Sequence, residues 1–256
     1  MGGILILSSF VAASDVGGGF QAKALAGLEI DSILVPTVLF GRHPGLGPPG
    51  GGATPIEIFE GMLEGVAASG AFAGLDAVIT GYFADPAQVS AAARTVDTIK
   101  ALQPNLLIVV DPIMGDTGKG LYVKAAVADA VIGELVARAG LIAPNAWELE
   151  RLSGKPVTDT ASALAASRSL GRDVLVSSIP MGAGIGVVWA DGQEAWLASH
   201  RRASSAPNGT GDLLTCLFTA ALLGGAAPPD ALETAVSDVA ARVFGKDVGI
   251  TLEAVP

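Results

Sequence analysis

In the run Ala206-Pro-Asn-Gly-Thr-Gly-Asp-Leu-Leu-Thr-Cys-Leu-Phe-Thr219, a small-residue turn and one carboxylate stand at the mouth of an apolar helix. Glycines at 209 and 211 let backbone N–H groups crowd toward one point, and the positive end of the helix starting near Gly211 favours an anion there. Asp212 stands beside that anion. A carboxylate in an anion pocket is unfavourable until it has a proton to take, so the pattern points to a base that deprotonates a hydroxyl as phosphate arrives. An acid near a helix N-terminus is also favourable without any chemistry.

Two further segments bring acids to the ends of apolar strands. In Pro144-Asn145-Ala-Trp-Glu148, Asn145 can cap a helix and Glu148 can complete a capping box, while the C-terminal end of a parallel strand is where ligands bind in open sheets. Val109-Val-Asp-Pro-Ile-Met-Gly-Asp116 carries Asp111 and Asp116, hard oxygen donors suited to Mg²⁺; both also suit turns, Asp111 before Pro112 and Asp116 as a cap.

Other constellations fail on spacing. Gly118-Lys119-Gly120 is too close to Gly115 for a P-loop and has Gly where Ser or Thr should bind magnesium. Gly17-Gly18-Gly19 follows the first strand, but Ala22 takes the last position of a dinucleotide fingerprint, which leaves a nicotinamide enzyme as a weak rival. His43 and His200, the only histidines, cannot assemble a zinc set with one cysteine, and no G-x-S-x-G elbow exposes a serine. His43 could touch a substrate or stand as a bystander in its loop.

The elements that must position these groups follow from apolar runs alternating with alanine-rich stretches, the pattern of βαβ units and a mainly parallel sheet. Strands are predicted at Gly3–Ser8, Ile30–Leu39, Ala77–Thr80, Leu106–Asp111, Leu141–Ala143, Val174–Ser177, Ile185–Ala190 and Glu194–Ser199. The last two are joined by the hairpin signal Asp191-Gly192. Helices are predicted at Gly18–Ala26, Pro55–Ser69, Pro86–Leu102, Val123–Arg138, Ala146–Leu152 and Asp159–Leu170, with Pro55 and Pro86 in first turns and two further helices closing the chain. The Pro/Gly-rich segment from Gly41 to Thr54 is expected to lack regular structure and to serve either as a mobile cover or as a plain connection.

The chain has 256 residues, half of them hydrophobic, enough for one large α/β domain or two small ones. Its formal charge of −10 argues against a nucleic-acid partner. The single Cys216 excludes an intramolecular disulfide and is expected to be a buried inert thiol. No basic n-region or cleavage pattern opens the chain, and its uncharged runs are too short or too broken for a membrane span, so a soluble cytoplasmic protein is expected.

Gly-Thr-Gly-Asp212 before an apolar helix resembles the signature of the ribokinase superfamily. That resemblance implies a three-layer α/β/α ribokinase-like fold with a mainly parallel central sheet, here a single domain over 1–256. It makes Asp212 the catalytic base and the amides of Gly209, Thr210 and Gly211 its anion hole. Asn145-x-x-Glu148 is similar to the superfamily motif associated with magnesium and phosphate. Val-Asp-Pro-Ile-Met-Gly followed by Gly118-Lys-Gly-Leu-Tyr resembles pyridoxal kinases and hydroxymethylpyrimidine phosphate kinases, which implies Asp111 and Asp116 beside the nucleotide phosphates and Asp111 with Glu148 as metal ligands.

Similarity to the pyridoxal kinase family runs from Ile4 to about Leu223, through Ile4-Leu-Ile-Leu-Ser-Ser9, Thr37-Val-Leu-Phe40 and Thr80-Gly-Tyr82. It implies Ser9 at the pyridine ring, Tyr82 beside the substrate, Ser177 at the strand end approaching ATP, MgATP as phosphate donor, pyridoxal as acceptor, and a homodimer; Thr37 and His43 complete the candidate substrate-binding residues. The chain departs from the family at Phe10, where histidine is frequent, and at Gly41-Arg-His-Pro44, where the family shows a Ser-Asn-His-Thr type sequence. Ser14-Asp-Val-Gly-Gly-Gly-Phe-Gln-Ala22 resembles instead a segment of hydroxymethylpyrimidine kinases, the second reading. A kinase-like binding protein without turnover is the reading from another class.

Overall fold

In the computed structural model, which describes residues 2–256, the run Ile4–Leu7 has no exposed surface. A strand covered on both faces must be apolar at every position rather than at alternate ones. It forms the middle of β1 (Gly3–Val11), which pairs in parallel with β2 (Ser32–Phe40) and β4 (Leu75–Thr80); β4 pairs in parallel with β5 (Leu107–Val110). The short β3 (Gly51–Ala53) adds antiparallel to β2, giving the order β5-β4-β1-β2-β3. With α1 (Gly17–Gly27), α2 (Ile56–Ala68), α3 (Pro86–Leu102) and α4 (Ala125–Ala130), these strands make up the first of two units into which the chain divides. Gly18 lets α1 pack closely on the sheet: a Cβ there would lie 2.5 Å from Leu34 Cδ1, 3.0 Å from Ile6 Cγ2 and 3.2 Å from Ser8 Cβ, so a larger residue makes these side chains give way.

The second unit comprises Gly115–Gly120 and Gly140–Pro256. The two-residue strands β6 (Gly115–Asp116) and β7 (Gly120–Leu121) form a small sheet of their own. β8 (Leu141–Ile142) leads into α5 (Ala146–Ser153) and α6 (Thr160–Arg168) and pairs in parallel with β9 (Asp173–Met181). β10 (Gly184–Ala190) and β11 (Ala195–Arg201) follow as antiparallel strands, then α7 (Thr210–Leu223), α8 (Pro228–Phe244) and β12 (Thr251–Ala254). The order is β12-β11-β10-β9-β8. Leu149, Val174, Val176, Val188 and Leu197 pack as its core beneath α5 and α6. The expected α/β class with a mainly parallel central sheet is borne out, with antiparallel strands added toward β3 and β12.

Pro86 occupies the first turn of α3 after the Asp85 cap, as predicted, whereas Pro55 is itself the residue preceding α2. Other elements differ from the sequence reading. The helix predicted over Val123–Arg138 stays α-helical only to Ala130, then widens over Val131–Leu135 and tightens over Val136–Arg138. At its end Arg138 Nη1 donates to the Glu134 carbonyl at 2.6 Å while Nε and Nη2 donate to Asp97, each at 2.7 Å. β9 runs past the predicted stop at Ser177 by placing Ser178 at φ 63. The segment from Gly41 to Thr54 is not devoid of regular structure. Its 3₁₀ turn Pro44–Leu46 is capped by His43, and β3 takes the edge of β2. The chain also closes on a strand, β12 on β11, rather than on its two helices. Among the described residues, no helix is long and apolar enough to cross a membrane.

Candidate active site

In the second unit the segment after β8 is held by a capping box. Glu148 N donates to Asn145 Oδ1 at 2.9 Å and Asn145 N donates to Glu148 Oε2 at 3.0 Å. Both residues do more than cap. Asn145 Nδ2 donates to Gly115 O at 2.8 Å, and Gly115 N donates to the buried Glu148 at Oε1, 3.3 Å. The box therefore grips the Gly115 backbone on both sides, and with it the turn that carries Asp116. Gly115 is obligatory: a Cβ would stand 2.1 Å from Trp147 Cζ3 and 2.7 Å from Gly120 O. Asp116 folds its own turn, accepting from Thr117 N at 2.7 Å and facing Lys119 Nζ at 3.9 Å. Asn145 also forms a parallel bridge with Ser177, whose amide donates to Pro144 O at 3.0 Å. Asp116, Asn145, Glu148 and Ser177, separate in sequence, thus share one backbone framework.

At the start of α7, Gly209 adopts φ 85, a left-handed conformation that glycine takes without strain. The first helical bond is Leu213 N to Gly209 O, so the amides of Thr210, Gly211 and Asp212 precede the ladder and project from the positive end of the dipole. Asp212 sits in the first turn, half-buried, with Oδ1 withdrawn from solvent. One turn on, Cys216 is buried; desolvation, and then the Asp212 charge, push its thiol up to about 12.

In the first unit, Asp111 is buried just past β5, its amide donating to Thr80 O at 3.0 Å. The turn that follows is strained, with Ile113 at φ 38, a region that β-branched residues rarely enter. Ser9 is buried where the β1–β2 register shifts. Thr37 is wholly buried and its hydroxyl donates to Tyr82 O at 2.6 Å; Tyr82 N donates to Ser8 Oγ at 3.2 Å. Burial raises the Tyr82 phenol above its usual range. His43 is committed locally: its amide donates to Ser14 Oγ at 3.1 Å and its Nδ1 accepts from Gly45 N at 3.1 Å. Among the described residues no group of three or more His, Cys, Asp or Glu gathers as a metal site. Asp111 and Glu148 belong to different units.

Sequence reasoning missed Trp147, Gly115 and the wholly buried Gln88 of α3, which holds Thr37 and Thr54 through their carbonyls. Only glycine at 115 left a trace, inside a motif already noted for its acids.

The sequence model of the phosphomethylpyrimidine kinase family matches residues 54–251. The chain belongs to that kinase family. Relatives similar to this chain include a pyridoxine/pyridoxal/pyridoxamine kinase of Bordetella avium, 36% identical over 90% of this chain and 80% of its own length. A pyridoxal kinase of Corynebacterium diphtheriae is 31% identical over 92% of this chain and 86% of its own. The resemblance to pyridoxal kinases is thus borne out beyond the motifs that first carried it. The crystal structure of pyridoxal kinase from Entamoeba histolytica has the same fold, with a TM-score of 0.93 over 100% of both chains at 24% identity. Pyridoxal kinase from Leishmania donovani in complex with ADP and pyridoxamine gives 0.90 over 100% of both at 21% identity.

Proposed function

We propose that this chain, acting as one kinase domain, transfers the γ-phosphoryl group of ATP to the 5′-hydroxymethyl group of pyridoxal, and of pyridoxine or pyridoxamine, to give the 5′-phosphate. The observation that carries the reading is Asp212 in the first turn of α7, beside amides that no helical bond uses. With the hydroxymethyl group facing it, Asp212 accepts the proton at a carboxylate oxygen as the substrate oxygen attacks phosphorus in line and the bond to the ADP oxygen breaks. Amides from Gly209 to Asp212 stabilise charge on the transferring oxygens. Asn145 and Ser177 orient the nucleotide from their shared framework.

Asp111 and Glu148, assigned to magnesium by the family resemblance, carry hard carboxylate oxygens of the kind that Mg²⁺ takes. Bound there, Mg²⁺ supplies positive charge against the triphosphate. Asp116, on the turn gripped by the box, faces the same phosphates. Ser9 is assigned to the pyridine ring and Tyr82 to its side by the family resemblance, and Thr37 and His43 bind the substrate with them. A homodimer working in the cytoplasm completes the proposal.

The family model's name supports a second reading, phosphorylation of hydroxymethylpyrimidine or its phosphate, by the same mechanism. ADP release from MgATP with pyridoxal, pyridoxine, pyridoxamine or hydroxymethylpyrimidine separates the two. Turnover with pyridoxal is expected, falling about 10²–10⁴-fold in Asp212→Asn. Preference for the pyrimidine moves the substrate and leaves the mechanism. Nucleotide binding without product from any of them makes the chain a binding protein.

A further inference from the structure

Gln88, in the first turn of α3, is wholly buried, yet its amide is used at both ends. Nε2 donates to Thr37 O and to Thr54 O, each at 2.8 Å, and Oε1 accepts from Ala84 N at 3.2 Å. A neutral primary amide can donate twice and accept from one position, which no other side chain of this size and charge does. Three stretches of chain meet there: β2, the residue that closes the segment from Gly41 to Thr54, and the turn after β4. They are cross-tied. Thr54 N donates to Thr37 O at 2.9 Å, Thr54 Oγ1 to Pro36 O at 2.8 Å, and Thr37 Oγ1 to Tyr82 O at 2.6 Å.

α3 does not depend on this residue for its start, since Asp85 caps it at Ala87 N and Pro86 presets its first turn. The bonds of Gln88 all run instead to the segments that carry Thr37, Tyr82 and the foot of the His43 connection. We propose that Gln88 is a positioning residue for the pyridine-ring site, holding these three segments in one arrangement without itself touching substrate. The proposal rests on the reading that Thr37, His43 and Tyr82 face pyridoxal.

Gln88→Met keeps the length and bulk of the side chain and withdraws every donor and acceptor, leaving two buried carbonyls with one partner fewer and the part-buried Ala84 amide without this bond. The expected result is a KM for pyridoxal raised about tenfold or more, with KM for MgATP changed less than about twofold, and faster hydrogen exchange at the Ala84 amide. If Gln88→Met does not accumulate folded, Gln88→Asn, which keeps the amide one methylene short, is expected to give the same split. An unchanged KM for pyridoxal, or both KM values rising together, overturns the proposal. Wild-type protein without pyridoxal turnover overturns the functional reading and this proposal with it; a wild type that turns over pyridoxal beside a variant with unchanged KM overturns this proposal alone.

Discussion

Asp212 and Cys216 stand one turn apart on α7, and the thiol records what surrounds the carboxylate. Burial opposes the thiolate first, and the negative Asp212 opposes it further, so the folded state holds the thiol neutral until about pH 12. Thiolate, not thiol, attacks disulfide reagents. Native protein titrated with such a reagent at pH 8 is therefore expected to stay unmodified and to react only once unfolded; rapid labelling of the native thiol would contradict the burial. Asp212 itself was readable from sequence because its neighbours in space are its neighbours in the chain. Gln88 was not, because Thr37 and Thr54 lie 51 and 34 residues away.

Between elements, the decisive contact is α5 on β6. The capping box was legible from Asn145 and Glu148, three residues apart on one helix start, since such spacing is fixed by local geometry alone. That the same two side chains grip Gly115 was not, because those bonds span 30 and 33 residues. Trp147 closes the remaining space over the glycine. Gly115→Ala is expected to lose about 1–3 kcal/mol of stability by overpacking, read as a lower denaturant midpoint, and to lower kcat as the Asp116 turn shifts. Adding Trp147→Ala relieves the clash with the ring while the close approach to Gly120 O stays, so the double variant is expected to recover part of the stability relative to the sum of the single changes. Strict additivity would mean the two residues do not press on each other.

For the whole molecule, nucleotide binding and chemistry separate through linkage. A ligand at about a hundred times its Kd stabilises the folded state by about 2.7 kcal/mol, which raises the Tm of a chain this size by several degrees. MgATP is expected to produce that shift in wild type and in Asp212→Asn alike, since the variant removes the base and leaves the amides of α7. Loss of the shift in Asp212→Asn would assign the carboxylate to binding. A formal charge of −10 means that this affinity comes from local amides and side chains, against the field of the whole molecule.

What the sequence by itself determined is whatever depends on near neighbours in the chain. That includes the alternation of strands and helices, the strand at β1, the capping box, the Pro86 start of α3, and the glycine-led mouth of α7 with its acid. Local sterics and hydrogen bonds over three or four residues suffice for each. Only the tertiary structure decided the rest. β3 and β12 are too short and too weakly apolar to declare themselves, and exist because β2 and β11 offer unpaired edges. The helix after Lys124 changes its winding beyond Ala130, and Arg138 at its end meets Asp97 on α3, 41 residues away. The grips of Gln88 and Gly115 join backbone groups that no local pattern announces, because a buried carbonyl takes whichever donor folding brings to it.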